Sequence, residues 1–125
     1  MPVKSLRSSV LRWPDRQTVD AGVRHLAADE ATCHPELVAL GYYGSYARGD
    51  WGVGSDLDVI AIVTASQEPF EARAAKWDIS RLPVPADFLV YTLDEWRRVV
   101  ARDDRFARML TREVVWVVGD PRGQD

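Results

Sequence analysis

Residues 44–58 read GSYARGDWGVGSDLD: a glycine–serine pair, ten intervening residues, and two aspartates separated by one residue. An apolar run, 37–43, ends just before the glycine, and a second run, 57–63, carries the second aspartate. Side chains alternate between faces along a strand, so we expect Asp56 and Asp58 on the same side. Two carboxylates on one rigid edge form an oxygen-rich site suited to Mg²⁺. The stretch therefore predicts chemistry of a divalent metal ion with a nucleoside triphosphate.

The glycine–serine half of this stretch has its own physical reason. Gly44 permits a sharp turn at the end of the first apolar run. Ser45 then begins a segment, 45–48, that is long enough for one helical turn ending at Gly49. Free backbone N–H groups at the start of such a turn bind phosphate oxygens. Strand, turn, short helix, loop and strand together predict a phosphate cradle that faces the metal site.

Two side chains within the stretch have plainer interpretations as well. Arg48 could contact the triphosphate, or it could hold the loop through Asp50, and the geometry of an arginine fork suits both roles. Ser45 could act only as a helix N-cap, although capping and phosphate binding coincide here. The sequence leaves these alternatives open.

The spacing resembles that of a known family. Gly-Ser-x-Ala-Arg-Gly followed by Gly-x-x-Ser-Asp-x-Asp is similar to the motif of the minimal nucleotidyltransferases, within the DNA polymerase β-like nucleotidyltransferase superfamily. The resemblance implies an α/β (α+β) nucleotidyltransferase fold, a mixed β-sheet with helices packed mainly on one face. It also assigns nucleotide binding to the matching motif positions Gly44, Ser45, Arg48 and Ser55.

The same family uses a third carboxylate on a neighbouring strand. The short apolar segment 86–91 follows two prolines and places Asp87 near its start. Asp87 alternates with Ala86 and Phe88, so its side chain can point to the opposite face. A lone aspartate at a strand start is usually a turn or cap residue. With the upstream motif, Asp87 becomes the candidate that completes the site.

The resemblance further implies a mechanism and a partner. Asp56, Asp58 and Asp87 would be the catalytic and metal-binding residues, holding two Mg²⁺ ions, with ATP as the substrate and AMP passed to a hydroxyl group. Minimal nucleotidyltransferases are often antitoxins paired with a HEPN-domain toxin. We therefore expect a protein acceptor, contacted by exposed Tyr46 and Trp51. Two alternatives stay open: a non-catalytic antitoxin that only binds its partner, and a nucleotidyltransferase acting on small molecules of the aminoglycoside type.

Length and composition limit the class of protein and the compartment that we expect for this chain. The 125 residues, 46% of them hydrophobic, predict a single minimal domain, 1–125, with an N-terminal arm at 1–14 and a mobile tail at 120–125. The net charge of −3 gives no general affinity for nucleic acid. The chain shows no membrane-spanning run and no signal-peptide core. One cysteine, Cys33, excludes an intrachain disulfide, so we expect a cytoplasmic protein.

Periodicity and capping signals predict the remaining elements. Asp15 should cap a helix that runs to about residue 29, and Thr92 with Glu95 forms a capping box for a helix to about residue 101. The other expected elements are an edge strand at 10–13, strands at 37–43, 57–63, 87–91 and 114–118, and helices at 66–77 and 103–110.

Overall fold

Four strands form one mixed sheet in the computed structural model, which describes residues 13–123. They are β1 (Leu37–Tyr43), β2 (Leu57–Val63), β3 (Ala86–Thr92) and β4 (Val115–Val118). Their order across the sheet is β3-β2-β1-β4. Strand β1 is antiparallel to both β2 and β4, whereas β2 and β3 are parallel. The mixed sheet with helices confirms the expected α/β (α+β) class.

Five α-helices accompany the sheet within residues 13–123. They are α1 (Arg16–Cys33), α2 (Ser45–Arg48), α3 (Phe70–Arg73), α4 (Leu93–Arg102) and α5 (Arg105–Glu113), with 3₁₀ turns at Ala74–Lys76 and Pro121–Gly123. The Asp15 carboxylate accepts the Thr18 N–H at 2.9 Å and caps α1. Both bonds of the Thr92–Glu95 capping box are present at the start of α4. These two helix starts are therefore confirmed.

The helices cover both faces of the sheet, which corrects the expectation that they pack mainly on one face. On one face, α1 packs Val19 and Val23 into a cluster that includes Val59 of β2. On the other face, α4 and α5 pack Trp96 and Leu110 into a separate cluster with Ile60 and Ile62. The reason is the composition of β2, which is apolar on both sides beyond Asp58, so both faces must be shielded from water.

Two helix starts differ from the prediction. The helix expected at 66–77 is only α3 and its 3₁₀ extension, because Pro69 occupies the N-cap and disfavours helical geometry in the residue before it. The helix expected at 103–110 begins at Arg105. Asp103 has a left-handed φ of 49° and ends α4, and the Asp104 carboxylate caps α5 by accepting the Ala107 N–H.

Some expectations fall outside the described residues. Positions 10–12 of the expected edge strand, most of the 1–14 arm, and residues 124–125 of the tail lie there. Trp13 itself forms a bend, and residues 121–123 form a 3₁₀ turn. Within residues 13–123, no helix combines the length and apolarity that crossing a membrane requires.

Candidate functional site

Three neighbouring strands bring polar side chains into one row at an end of the sheet. Asp58 of β2 pairs with Tyr43 of β1 on one side and with Asp87 of β3 on the other. Register partners in adjacent strands project to the same face. That face is the one covered by α4 and α5, because Ile60 and Ile62, which share the alternation of Asp58, belong to the α4–α5 cluster. The aspartates of the two sequence segments are thus register partners on adjacent strands.

The charges in this row interact. Burial raises the pKa of the Asp58 carboxyl, and the negative charges of Asp87 and Asp56 raise it further, while Arg48 opposes them. Burial and then the charge of Asp58 raise the pKa of Tyr43 to about 12, with smaller contributions from Tyr91 and Asp87. Burial is the largest cause of both shifts, and the crowded negative charge, which a bound cation would relieve, adds to it.

The donor set suits a hard divalent cation. Carboxylate oxygens are the preferred ligands of Mg²⁺, and Asp58 and Asp87 supply them from adjacent strands. Asp56 lies just before β2 and is exposed. Within residues 13–123, no group of three or more His, Cys, Asp or Glu side chains is already arranged to hold a metal ion. The structure therefore gives a carboxylate pair with Asp56 beside it, and the three-ligand, two-ion arrangement stays a prediction.

The aspartates Asp56, Asp58 and Asp87, which we name the carboxylate row, lie at an open end of the sheet. Asp56 and Asp87 are both exposed, and Asp58 is half-buried. A cavity of about 520 Å³ lies at the other end of β2, lined by Val63 and Trp77 among others, and is far from the aspartates along the strand. The chemistry of the carboxylates, and not the size of a pocket, therefore marks the candidate site.

Gly44 sets the turn that leads into α2. Its φ is +82°, a conformation that residues with a side chain rarely adopt. A Cβ at this position would also overlap with Oδ2 of Asp58. The Arg48 N–H donates to the Gly44 carbonyl and the Gly49 N–H to the Ser45 carbonyl, both at 2.9 Å, so a single helical turn follows. The first N–H groups of such a turn have no acceptor within it.

Ser55 closes the glycine-rich loop. Its hydroxyl accepts the Gly52 N–H at 2.8 Å, and its own N–H donates to the Gly52 carbonyl at 3.0 Å. Gly49 and Gly54 both have positive φ angles, 91° and 86°, so the glycines allow the sharp path of this loop. In this structure Ser55 fixes the loop that carries Asp56.

Arg48 bridges the loop and the end of α5. Its Nε donates to Asp50 at 3.1 Å, and its Nη1 contacts both carboxylate oxygens of Glu113 at 3.4 Å. The Arg48 side chain is 46% exposed. Of the two roles left open by the sequence, the structure shows the loop-holding contact with Asp50. The nucleotide role of Arg48 stays a prediction.

Tyr46 is fully buried, which corrects the expectation that it is an exposed aromatic residue for partner contact. Its hydroxyl donates to the Pro14 carbonyl at 2.9 Å. Its ring stacks against Trp51, with the ring centroids 5.5 Å apart. The reason is the tight turn at Gly44, which directs α2 inward so that Tyr46 joins the core. Trp51 is half-buried, packs against the same core, and closes the loop.

Two residues of this region were not predicted from the sequence. Tyr43 is the last residue of β1, and strand alternation would have placed it near the site only if the register of β1 against β2 had been known. Glu113, at the end of α5, lies 65 residues after Arg48 in the chain. No local pattern indicates such a contact.

Two solved structures are similar to this chain in fold. A solved structure from Sulfolobus solfataricus, described as a candidate nucleotidyltransferase, matches with a TM-score of 0.56 and 20% identity over 66% of this chain and 75% of that chain. A toxin–antitoxin structure with AMP-PNP matches with a TM-score of 0.47 and 14% identity, over 83% and 76% of the two chains. The first supports the fold, and the second is too distant to support an argument.

The sequence comparison is more direct. No curated protein shows significant similarity to this chain. The family model of the nucleotidyltransferase domain matches residues 30–113, which include Gly44, Asp58, Asp87 and the whole motif segment. Proteins of this family generally use a nucleoside triphosphate and a divalent metal ion. The chain therefore belongs to the nucleotidyltransferase domain family.

Proposed function

We propose that this chain is a Mg²⁺-dependent nucleotidyltransferase that transfers AMP from ATP to a hydroxyl group of a partner protein. The observation that carries the proposal is the pairing of Asp58 with Asp87 on parallel strands, directly beside the Gly44 turn. Carboxylates and a free helical start are the two halves of a site for a metal-bound triphosphate.

Each part of the site has a role in this proposal. Asp56, Asp58 and Asp87 would hold Mg²⁺, which when bound neutralises charge on the triphosphate and favours the ionised acceptor hydroxyl. The N–H groups that follow Gly44, starting at Ser45, would hold the leaving phosphates. Arg48 and Ser55 would fix the loop around the nucleotide. The role of these residues is mainly to position the reactants and balance their charge.

The reaction itself is a substitution at phosphorus. The acceptor oxygen forms a bond to the α-phosphate in line with the bond to the leaving group, that bond breaks, and pyrophosphate leaves with its electron pair. The acceptor proton passes to a carboxylate, for which exposed Asp87 is the candidate. No histidine lies in the motif, so histidine base chemistry is not needed.

The open edge favours a large acceptor. Since Asp56 and Asp87 are exposed, a side chain carried by another protein can reach the row directly. A tyrosine is the expected acceptor. The motif resemblance makes a HEPN-domain toxin the expected partner in a cytoplasmic toxin–antitoxin pair, with this chain as the antitoxin.

The test uses ATP labelled at the α-phosphate, Mg²⁺ and the protein encoded beside this one. The wild type should label the partner, and Asp56→Ala combined with Asp58→Ala should not. Asp94→Ala is the matched control, because Asp94 is an exposed carboxylate on α4 outside the row, and it should label as the wild type does.

Three outcomes would contradict the proposal. Equal labelling by the double variant would exclude these carboxylates as catalytic groups. If the double variant protects cells from a toxic partner protein as fully as the wild type does, binding alone is the antitoxin mechanism. Labelling of a small hydroxylated compound, with none on the partner, would favour the small-molecule alternative.

A further inference from the structure

Helix α5 presents three arginines on its exposed side. Ala107 and Leu110 face the core, while Arg105, Arg108 and Arg112 are all exposed. Their spacing of three and four residues places them on one face of the helix. We name these three residues the α5 arginine ridge. Over seven residues the ridge extends about 10 Å along the helix axis.

The charge of the ridge is poorly compensated. Within residues 13–123, neither Arg105 nor Arg112 has an ion-pair partner, and Arg108 contacts Asp103 only at 4.0 Å. Some exposed arginines outside α5 are held more closely, as in the 2.7 Å contact between Arg81 and Asp29. The ridge therefore keeps its donors available to an external anion.

The ridge also borders a groove and reaches the candidate site. A groove of about 380 Å³ is lined by its three arginines together with Met109 and Glu113. Glu113, the last residue of α5, contacts Arg48 at 3.4 Å. Arg48 belongs to the helical turn that follows Gly44. A molecule lying along α5 would thus end beside the carboxylate row.

We propose that the α5 arginine ridge docks an acidic segment of the acceptor protein and thereby brings the acceptor hydroxyl to the carboxylate row. This inference rests on the proposed function, since it supplies the acceptor's binding surface. Arginine forks bind carboxylates in pairs of hydrogen bonds, and charge complementarity of this kind steers partners and fixes their register.

A protein fits the ridge better than a nucleic acid does. The chain has a net charge of −3, so a continuous polyanion is repelled by the molecule as a whole. Acidic residues also flank the ridge at both ends, because Asp103 and Asp104 precede Arg105 and Glu113 follows Arg112. A segment with a few spaced carboxylates can meet the arginines and avoid these acids, whereas a regular phosphate backbone cannot.

The test uses a fluorescently labelled random copolymer of glutamate and tyrosine, which offers both acidic groups and hydroxyls. Its binding is measured by anisotropy at low salt, beside a labelled single-stranded RNA. The ridge variant combines Arg105→Glu, Arg108→Glu and Arg112→Glu. The control, with the same charge change, combines Arg24→Glu, Arg81→Glu and Arg122→Glu, three exposed arginines outside α5.

The ridge variant should bind the copolymer at least about tenfold more weakly than wild type, with the control close to wild type. Equal weakening by the control, or no weakening by the ridge variant, overturns the proposal. Tighter, ridge-dependent binding of the RNA overturns it in favour of a nucleic acid. If the ridge variant loses its circular dichroism signal, Arg105→Gln with Arg112→Gln replaces it, and the same results decide.

A transfer assay with labelled ATP on the same copolymer separates this proposal from the proposed function. Ridge-dependent binding without labelling contradicts nucleotidyl transfer and leaves the docking surface in place. If the ridge variant labels the copolymer at the wild-type rate, the proposed transferase activity is supported and the ridge is excluded as its acceptor-binding surface.

Discussion

Gly44 approaches Asp58 so closely that a Cβ at Gly44 would overlap with Oδ2 of the Asp58 carboxylate. The conformation of the turn that starts α2 and the position of the half-buried Asp58 carboxylate therefore depend on each other. A side chain at position 44 would displace the carboxylate that pairs with Asp87. The glycine is needed for its positive φ and also for the space that the carboxylate occupies.

Gly44→Ala should destabilise the protein more than Gly49→Ala. Gly49 has a left-handed conformation (φ 91°, ψ 7°), where a side chain costs about 1 kcal/mol, whereas Gly44 (φ 82°, ψ −150°) lies in a region essentially restricted to glycine, where the strain is about 1–3 kcal/mol. A Cβ at Gly49 meets nothing within 4 Å, whereas a Cβ at Gly44 meets Asp58. We expect an additional loss of about 1–3 kcal/mol for Gly44→Ala, measured by urea unfolding.

A second variant isolates the cause of this difference. Asp58→Ala removes the overlapping carboxylate, so Gly44→Ala should cost less in that background than in the wild type. No relief by Asp58→Ala would show that the overlap does not matter and that backbone strain alone accounts for the cost.

Arg73 and Glu95 form a largely buried ion pair that ties α3 to the start of α4. The Arg73 Nη2 donates to Glu95 at 3.1 Å, and Nη1 donates to the Val90 carbonyl at 3.0 Å. Arg73 is 7% exposed. The hydrogen bond from Arg73 is the main cause of a lowered pKa of the Glu95 carboxyl, and burial opposes it.

Glu95→Gln should therefore destabilise the protein by about 2–3 kcal/mol at neutral pH, because it leaves Arg73 buried without its counter-charge. The folded-state pKa lies below the ordinary value of 4.5, so the stabilisation by ionised Glu95 is complete above that value. It is lost as the pH falls through the folded-state pKa. Unfolding curves of wild type and variant should converge in acid.

Asp94→Asn on the same helix is the control for this pH dependence. Asp94 is 78% exposed, so its replacement should change the free energy of unfolding by less than about 0.5 kcal/mol. A stability difference between wild type and Glu95→Gln that stays constant down to strongly acidic pH would contradict the assignment of the ion pair.

Arg48→Ala should have a small effect on stability and a larger one on nucleotide affinity. Its contacts with Asp50 and Glu113 are open to solvent, and ion pairs of this kind contribute little to stability. If Arg48 contacts the triphosphate, its removal should weaken ATP binding about tenfold in calorimetry. Arg24→Ala, at another exposed arginine, should leave ATP binding unchanged. Unchanged ATP affinity in Arg48→Ala would restrict Arg48 to holding the loop.

Local patterns predicted much of the fold. Both motif strands, 37–43 and 57–63, have the expected bounds, because each is an apolar run ended by a turn signal. The capping residues Asp15 and Thr92 also act as predicted, since capping depends only on groups within one helical turn. Periodicity failed for the helix expected at 66–77, where the proline at position 69 determined the start.

Relations between distant residues were harder to predict. Alternation placed Asp58 and Asp87 on matching faces, but only the strand order makes them neighbours. The burial of Tyr46 and the contact of Glu113 with Arg48 depend on how separate elements pack. Single-sequence patterns do not show which separate elements pack together, although the apolar composition of both faces of β2 indicates that both must be covered.

The joint action of Asp58 and Asp87 on a metal-bound nucleotide is the central claim, and calorimetry with Mg²⁺ and ATP tests it most directly. Wild type should bind Mg²⁺–ATP, and Asp58→Asn and Asp87→Asn should each weaken that binding by at least about tenfold, since each removes one charged ligand. Asp94→Asn should bind as the wild type does. Wild-type affinity for Mg²⁺–ATP in both Asp58→Asn and Asp87→Asn would contradict the account.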